Sequence, residues 1–348
     1  MSRLLKKISS ILGQQLFGLL GSALFLLSLI VACSSSEFEQ RDKRFYYRAL
    51  WNFALRENLK ELDIEFNGVD FGHSNLYENL LLTGAKDVPA IEQSARKETL
   101  QFIYSRPVLN PNEEAIAPTY MKMAWKAQNT FDEAHALHRS TYDIYVSDLS
   151  DKEAALRKVL AFYQDSEYAI TAKRLDHQRL DTFPYSKSFR RKFPLFNATI
   201  WAYHYLQVVV YDALAAAPDL PAKQKAVEPI LKTYHGYLQT PPVEWTFMPL
   251  TAELSPKVAA EYPEIANIFD NLHMMHDNIS DILATDLLPT WEEKRKEIYR
   301  VTRAYYWSSA DATNPFIVRD GQPHHSVSAP TMESEGPGGH SQHERGNP

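Results

Sequence analysis

Cysteine is nearly absent: the 348-residue chain holds one, Cys33. A single thiol excludes a disulfide scaffold, a four-thiolate zinc site, a cysteine-held iron–sulfur cluster and the Cys-x-x-Cys-His attachment of c-type haem. Glycine is sparse as well, with 12 residues against 20 prolines. That scarcity argues against a barrel or sandwich, which needs many tight turns, and against a glycine-rich nucleotide-binding loop. Basic excess is missing too, since 37 Lys and Arg stand against 43 Asp and Glu for a net charge of −6. Residues 1–32 carry three positive and no negative charges, so the chain without them stands at −9. An acidic surface of that kind disfavours nucleic acid and anionic lipid as partners. The run Arg190-Arg191-Lys192 is a local exception, read as the polar start of a helix rather than a docking patch. What is present is a Leu-, Ala-, Lys- and Glu-bearing chain with 45% apolar residues. It predicts an all-α fold, a multi-helix bundle. No tetratricopeptide-like period recurs, and an irregular α-solenoid is kept as the minority reading.

Arg3, Lys6 and Lys7 precede an uncharged apolar run from Leu16 to Ala32, which marks an export signal or a membrane helix. The run ends Leu29-Ile30-Val31-Ala32-Cys33, and this ending resembles the lipobox of bacterial lipoprotein precursors. The resemblance covers residues 1–33. It implies cleavage before Cys33, a diacylglycerol on its thiol and an acylated amino terminus, so that palmitate-like chains anchor the protein in the membrane. Residues 33–37 then form a tether. Ser34 after the lipidated cysteine implies, in a Gram-negative cell, the outer membrane, with the protein facing the periplasm. An uncleaved signal anchor is the alternative, and either way the rest of the chain is expected to be extracytoplasmic.

Apolar spacing and punctuation divide residues 38–310, the expected helical domain. Helices are predicted over 38–66, stopping at Asn67-Gly68, and over 73–82, 88–104, 119–147, 152–163 and 167–180. Asp87, Asp151 and Ser166 supply N-caps. The segment from Phe193 to Leu214 is apolar nearly all the way round and should be surrounded by other helices. Further helices are predicted over 222–238, 256–287 and 289–307. Asp63, Glu65 and Asp70 read as solvated surface, lacking the ligand spacing of an EF-hand. Residues 311–348, rich in Pro, Gly, Ser and His, are expected to form a disordered tail, its His324, His325, His340 and His343 included.

One pattern occurs twice: Phe131-Asp132-x-x-His135-x-x-His138 and Phe269-Asp270-x-x-His273-x-x-His276. At three-residue spacing on a helix, each segment offers one carboxylate and two imidazoles to a neighbour. A helical wheel places Met121, Trp125, Gln128, Phe131, His135, His138 and Tyr142 on one stripe of the first helix, so both imidazoles should be buried. On the second helix His276 lies within the apolar stripe, His273 at its edge and Asp270 further round. His204, in the all-apolar helix, should be buried as well.

Two readings of these residues stand. They are core imidazoles satisfied by polar partners, or they hold a transition metal (zinc, copper or iron) or a non-covalent haem. A mononuclear site from His135, His138 and His276 fits the wheel best, with Asp132, Asp270, His273 and His204 as further or orienting ligands. The layout is similar in outline to ferritin-like dimetal proteins, in which two helices each supply a carboxylate-x-x-His and two others each supply a carboxylate. That resemblance implies roles for Glu57, Glu61 or Glu65. The chain departs from it in carrying Asp132 and Asp270 for Glu, and His204 with Asp212 where a Glu belongs. The competing function is a cofactor-free helical scaffold docking onto a membrane or envelope protein complex. Gly72-His73-Ser74 lacks the strand–elbow context of a hydrolase nucleophile, and no Gly-x-Ser-x-Gly or His-Glu-x-x-His occurs, so an enzyme is the third reading, with no catalytic constellation to be assembled from spacing alone.

Overall fold

The computed structural model describes residues 47–83, 87–109, 113–241, 248–306 and 314–318. The expected export segment, Cys33 with its expected tether, and the histidines of the expected tail lie outside these. Among the described residues there are fourteen helices and, beyond two isolated bridges, no strand, so the fold is all-α. No helix there is long and apolar enough to cross a membrane. In chain order the helices are α1 (Ala54–Asn58), α2 (Lys60–Thr83), α3 (Val88–Tyr104), α4 (Glu113–Ile116), α5 (Pro118–Val146), α6 (Lys152–Gln164) and α7 (His177–Leu180). They continue with α8 (Ser188–Lys192), α9 (Pro194–Ala216), α10 (Leu220–Gln239), α11 (Thr251–Leu254), α12 (Pro256–Glu261), α13 (Pro263–Ala284) and α14 (Trp291–Thr302). The long helices α2, α5, α9 and α13 meet at the centre. Around them, α3 packs on α2, α10 on α9, α6 on α5, and α14 on both α13 and α5.

Proline marks six of the fourteen helix starts. Ala117, Phe193, Ser255 and Tyr262 each precede a proline and sit outside the helical region, with φ between −123° and −134° and ψ between 56° and 64°. The proline ring crowds the residue before it out of the α conformation. For this reason the span 256–287 is two helices broken at Tyr262, where a single one was expected.

The halves of the chain repeat each other. Asn129, Phe131, Asp132, His135, His138, Asp143, Ile144, Asp148 and Leu149 recur 138 positions later as Asn267, Phe269, Asp270, His273, His276, Asp281, Ile282, Asp286 and Leu287. In the first half, Asp143 of α5 accepts the backbone N–H groups of Phe53 (3.1 Å) and Leu55 (2.8 Å). In the second, Asp281 of α13 accepts those of Lys187 (2.7 Å) and Phe189 (2.8 Å). Each carboxylate thus clamps the start of a five-residue helix, α1 or α8. The N-cap residues, Phe53 and Lys187, adopt the same left-handed conformation, φ 70° and φ 69°. That conformation costs a residue with a Cβ about 1–2 kcal/mol, and the paired hydrogen bonds offset it. Each short helix then breaks, at Leu59 and Phe193, into the long helix that follows.

Several expected elements differ. Asn67-Gly68 does not stop a helix but lies inside α2, where Asn67 donates to Asp63 (3.3 Å) and to the Pro107 carbonyl (3.1 Å). No helix runs over 167–176, because its backbone is claimed by distant segments: the N–H of Thr171 goes to Tyr305 and that of Asp176 to Phe316. Ser166 caps a turn instead, accepting from Tyr168. Trp125 is 42% exposed. A non-helical Ala124 (φ −135°, ψ 35°) breaks the regular progression of α5 and turns its first residues off the stripe that the wheel assumed. Asp63 and Glu65 are buried, not solvated: Asp63 pairs with Arg56 and Arg139, and Glu65 with His235. Arg190 is likewise buried against Asp181, and Lys192 bonds Asp286, so the basic run is folded into the body. Residues 314–318 also join it, with Val318 donating to the Arg174 carbonyl.

As Gly68 does against Ile103, Gly72 marks a close approach of α2 to its neighbours. A Cβ there would meet Thr99 and the ring of Tyr203, both at 3.2 Å. Replacing Gly72 with Leu is therefore expected to cost about 1–3 kcal/mol through overpacking, more than any gain in helix propensity returns. A urea midpoint equal to the wild type would show that the helices can part here without cost.

Candidate metal centre

Six buried histidines converge where the four long helices meet: His73 from α2, His135 and His138 from α5, His204 from α9, and His273 and His276 from α13. Each helix delivers its imidazoles because its apolar stripe faces the others. The phenylalanine of the repeated pattern has a packing role here. Phe131 meets His276 edge-on at 4.1 Å between ring centres, and its counterpart Phe269 stacks on His138 at 3.4 Å. Each pattern thus holds the second imidazole of the other helix.

Within the cluster, one nitrogen of each of His73, His204 and His276 lies within 4.8 Å of the others, and all three residues are buried. His276 Nδ1 and His204 Nε2 are 3.3 Å apart, and the Met248 sulfur sits 2.9 Å from His204 Nδ1. His73 makes no hydrogen bond through either ring nitrogen, nor does His273, and His138 makes none through Nε2. The Nδ1 of His138 is hydrogen-bonded to the Tyr211 hydroxyl. Buried polar atoms left unpaired cost about 1–3 kcal/mol each, so their concentration at one point asks for a partner.

Burial keeps five of these rings neutral. It pushes His73 down to about 3, with the neighbouring His135 imidazole adding to the shift, and it holds His138, His204, His273 and His276 well below the ordinary imidazole range. A neutral imidazole offers a lone pair, the form in which histidine binds metals. The same shift sets a pH dependence. His73 in the fold lies below its unfolded value of 6.5, so the stability it contributes is complete above pH 6.5 and is lost as pH falls towards 3. Between pH 6 and 4 the metal-free wild type should lose stability faster than His73→Gln by about 1.4 kcal/mol per pH unit. Urea titrations across that range check this; parallel curves would mean that the folded ring takes up the proton.

The rings of His135, His138, His204, His273 and His276 lie in one cluster with His73, but the three whose nitrogens come within 4.8 Å of one another are His73, His204 and His276, not the expected His135, His138 and His276. The motif carboxylates lie outside the cluster. Asp132 accepts from Gln128 (2.8 Å), while Asp270 accepts from the Thr251 backbone and hydroxyl (both 2.7 Å). Three residues of helix advance by about 300°, so Asp132 and His138 stand roughly 120° apart, and with the imidazoles centred the aspartate falls on the flank. The ferritin-like layout fails for a similar reason. Glu61 lies at the surface with Arg106, Glu65 is paired with His235, and Glu57 is exposed. His73 was overlooked although Asp70-x-x-His73 is a third instance of the Asp-x-x-His spacing. Compared with known proteins, the chain matches no family model, no curated protein and no solved structure.

Proposed function

We propose that this chain is an extracytoplasmic, lipid-anchored protein that binds a transition metal at the meeting point of its four central helices. One observation carries the metal: His73, His204 and His276 bring three neutral imidazole nitrogens within 4.8 Å of one another inside a sealed core. His135, His138 and His273, from the repeated helices, surround that group. A donor set of imidazoles without carboxylates suits zinc, copper or iron rather than magnesium or calcium. Ring centres as close as 4.2 Å for His73 with His276, and 4.0 Å for His204 with His273, favour a bare ion over a haem, which needs a slot between its axial rings. The anchor rests on the lipobox-like ending at Cys33.

The test uses the full mature protein, exported in its own host and purified in detergent without chelator or polyhistidine tag. Elemental analysis should give a near-stoichiometric transition metal, lost when His73 and His276 are both replaced by Gln. A metal-free and fully folded protein would overturn the metal reading and favour the scaffold that docks onto an envelope complex. Radiolabelled palmitate should enter the wild type and not Cys33→Ser, which should leave the membrane fraction. Equal labelling of both would overturn the anchor.

A further inference from the structure

We infer that the centre takes two ions rather than one: beside the ion at His73, His204 and His276, a second sits between His138 and His273, and both bind as copper(I). This rests on the metal reading above and extends it.

The second position follows from what the first leaves over. An ion held at His73, His204 and His276 does nothing for His138 Nε2 or for either nitrogen of His273, although both residues are at most 1% exposed and these atoms have no hydrogen-bond partner. Their rings face each other across α5 and α13 with centres 5.9 Å apart and planes 21° apart. Metal–nitrogen bonds of about 2.0–2.1 Å place two imidazoles on one ion with ring centres no more than about 6.5 Å apart, so the pair has the span of a bridged pair. The group of three imidazoles with nitrogens within 4.8 Å of one another is His73, His204 and His276, so the second ion is held by two imidazoles, with the ring centre of His135 6.3 Å from that of His138. His138 is already oriented for the task. Its Nδ1 is tied to the Tyr211 hydroxyl and Phe269 stacks on its face, which fixes the ring and leaves Nε2 as its free, buried nitrogen. Such an outer partner is the usual means of orienting a ligating imidazole.

Charge selects the metal. An imidazole ligates as an uncharged group, so two dications held by imidazoles alone would bring four positive charges into a buried site, a cost that only anionic ligands offset. Copper(I) halves that charge and accepts two or three imidazoles. Copper also stands highest in affinity among the first-row dications, so an oxidised centre would be retained.

The experiment is anaerobic loading of the full metal-free protein with copper(I) against a chromogenic copper(I) chelator, with bound copper counted by elemental analysis. Two coppers per chain are expected for the wild type and one for His138→Gln/His273→Gln. Tyr211→Phe should still bind two, the second about 10–100-fold more weakly. After one-electron oxidation of each copper by ferricyanide, the wild type should give far less than two spins of copper(II) signal because the neighbouring ions couple. The double variant should give one full spin. A wild type that saturates at one copper overturns the second site and leaves the metal reading intact. No copper and no zinc uptake overturns both. Uptake of two zinc ions in preference to copper overturns the choice of metal. If the double variant does not fold, as judged by circular dichroism, the wild-type count and the weakened second step in Tyr211→Phe decide.

Discussion

Removing the metal from the folded protein is expected to lower its thermal midpoint by roughly 10 °C. An ion that binds only the folded chain stabilises it by about 4 kcal/mol when present at about a thousand times its dissociation constant. For a domain of this size each kcal/mol shifts the midpoint by about 2–4 °C. The effect should be large because the ion also gives a partner to a ring nitrogen of His73 that otherwise has none. Differential scanning calorimetry with and without a strong chelator measures it. Addition of the metal should restore the midpoint in the wild type and leave His73→Gln/His276→Gln unchanged. A midpoint indifferent to chelator would mean that the imidazoles are satisfied within the core.

The second large effect concerns the two clamps. Asp143→Ala and Asp281→Ala should each destabilise the protein by about 3–5 kcal/mol, because each strands two backbone N–H groups and leaves buried arginine charge less compensated. Asp143→Asn should cost less, about 1–3 kcal/mol, since one oxygen still accepts. Burial pushes both carboxyls up to about 6, above their ordinary value of 3.8. The stability each contributes is therefore complete below pH 3.8 and declines as pH rises through 6. The penalty of either alanine variant should accordingly be larger at pH 5 than at pH 8. Urea unfolding at the two pH values tests both statements. Penalties that differ strongly between the two sites would show that the halves are not equivalent.

Fold class and the place of most helices were legible from periodicity and caps: α3 spans the expected residues, and Asp87 and Asp151 cap α3 and α6 as expected. His135, His138, His204 and His276 were legible as buried because an apolar stripe can be drawn on a wheel. Two kinds of information were not local. Whether residues 167–176 form a helix depends on Tyr305 and Phe316, more than a hundred positions away. Whether Asp270 faces an ion or a loop depends on Thr251, which belongs to another helix. The wheel also failed where the helix itself did, at Ala124, and so misplaced Trp125. The repeated octapeptide was visible, but its extension to Asp143 and Asp281 acquires meaning only once each is seen gripping a short helix.

The duplication divides the six imidazoles evenly. His73, His135 and His138 belong to the first half of the chain, and His204, His273 and His276 to the second. An ion at His73, His204 and His276 would close a loop of some two hundred residues, a staple across the seam between the repeats. The halves already share that seam, since α14 rests on α5 and the long helices of both meet at the centre. The staple would add to this contact and tie the separation of the halves to release of the ion.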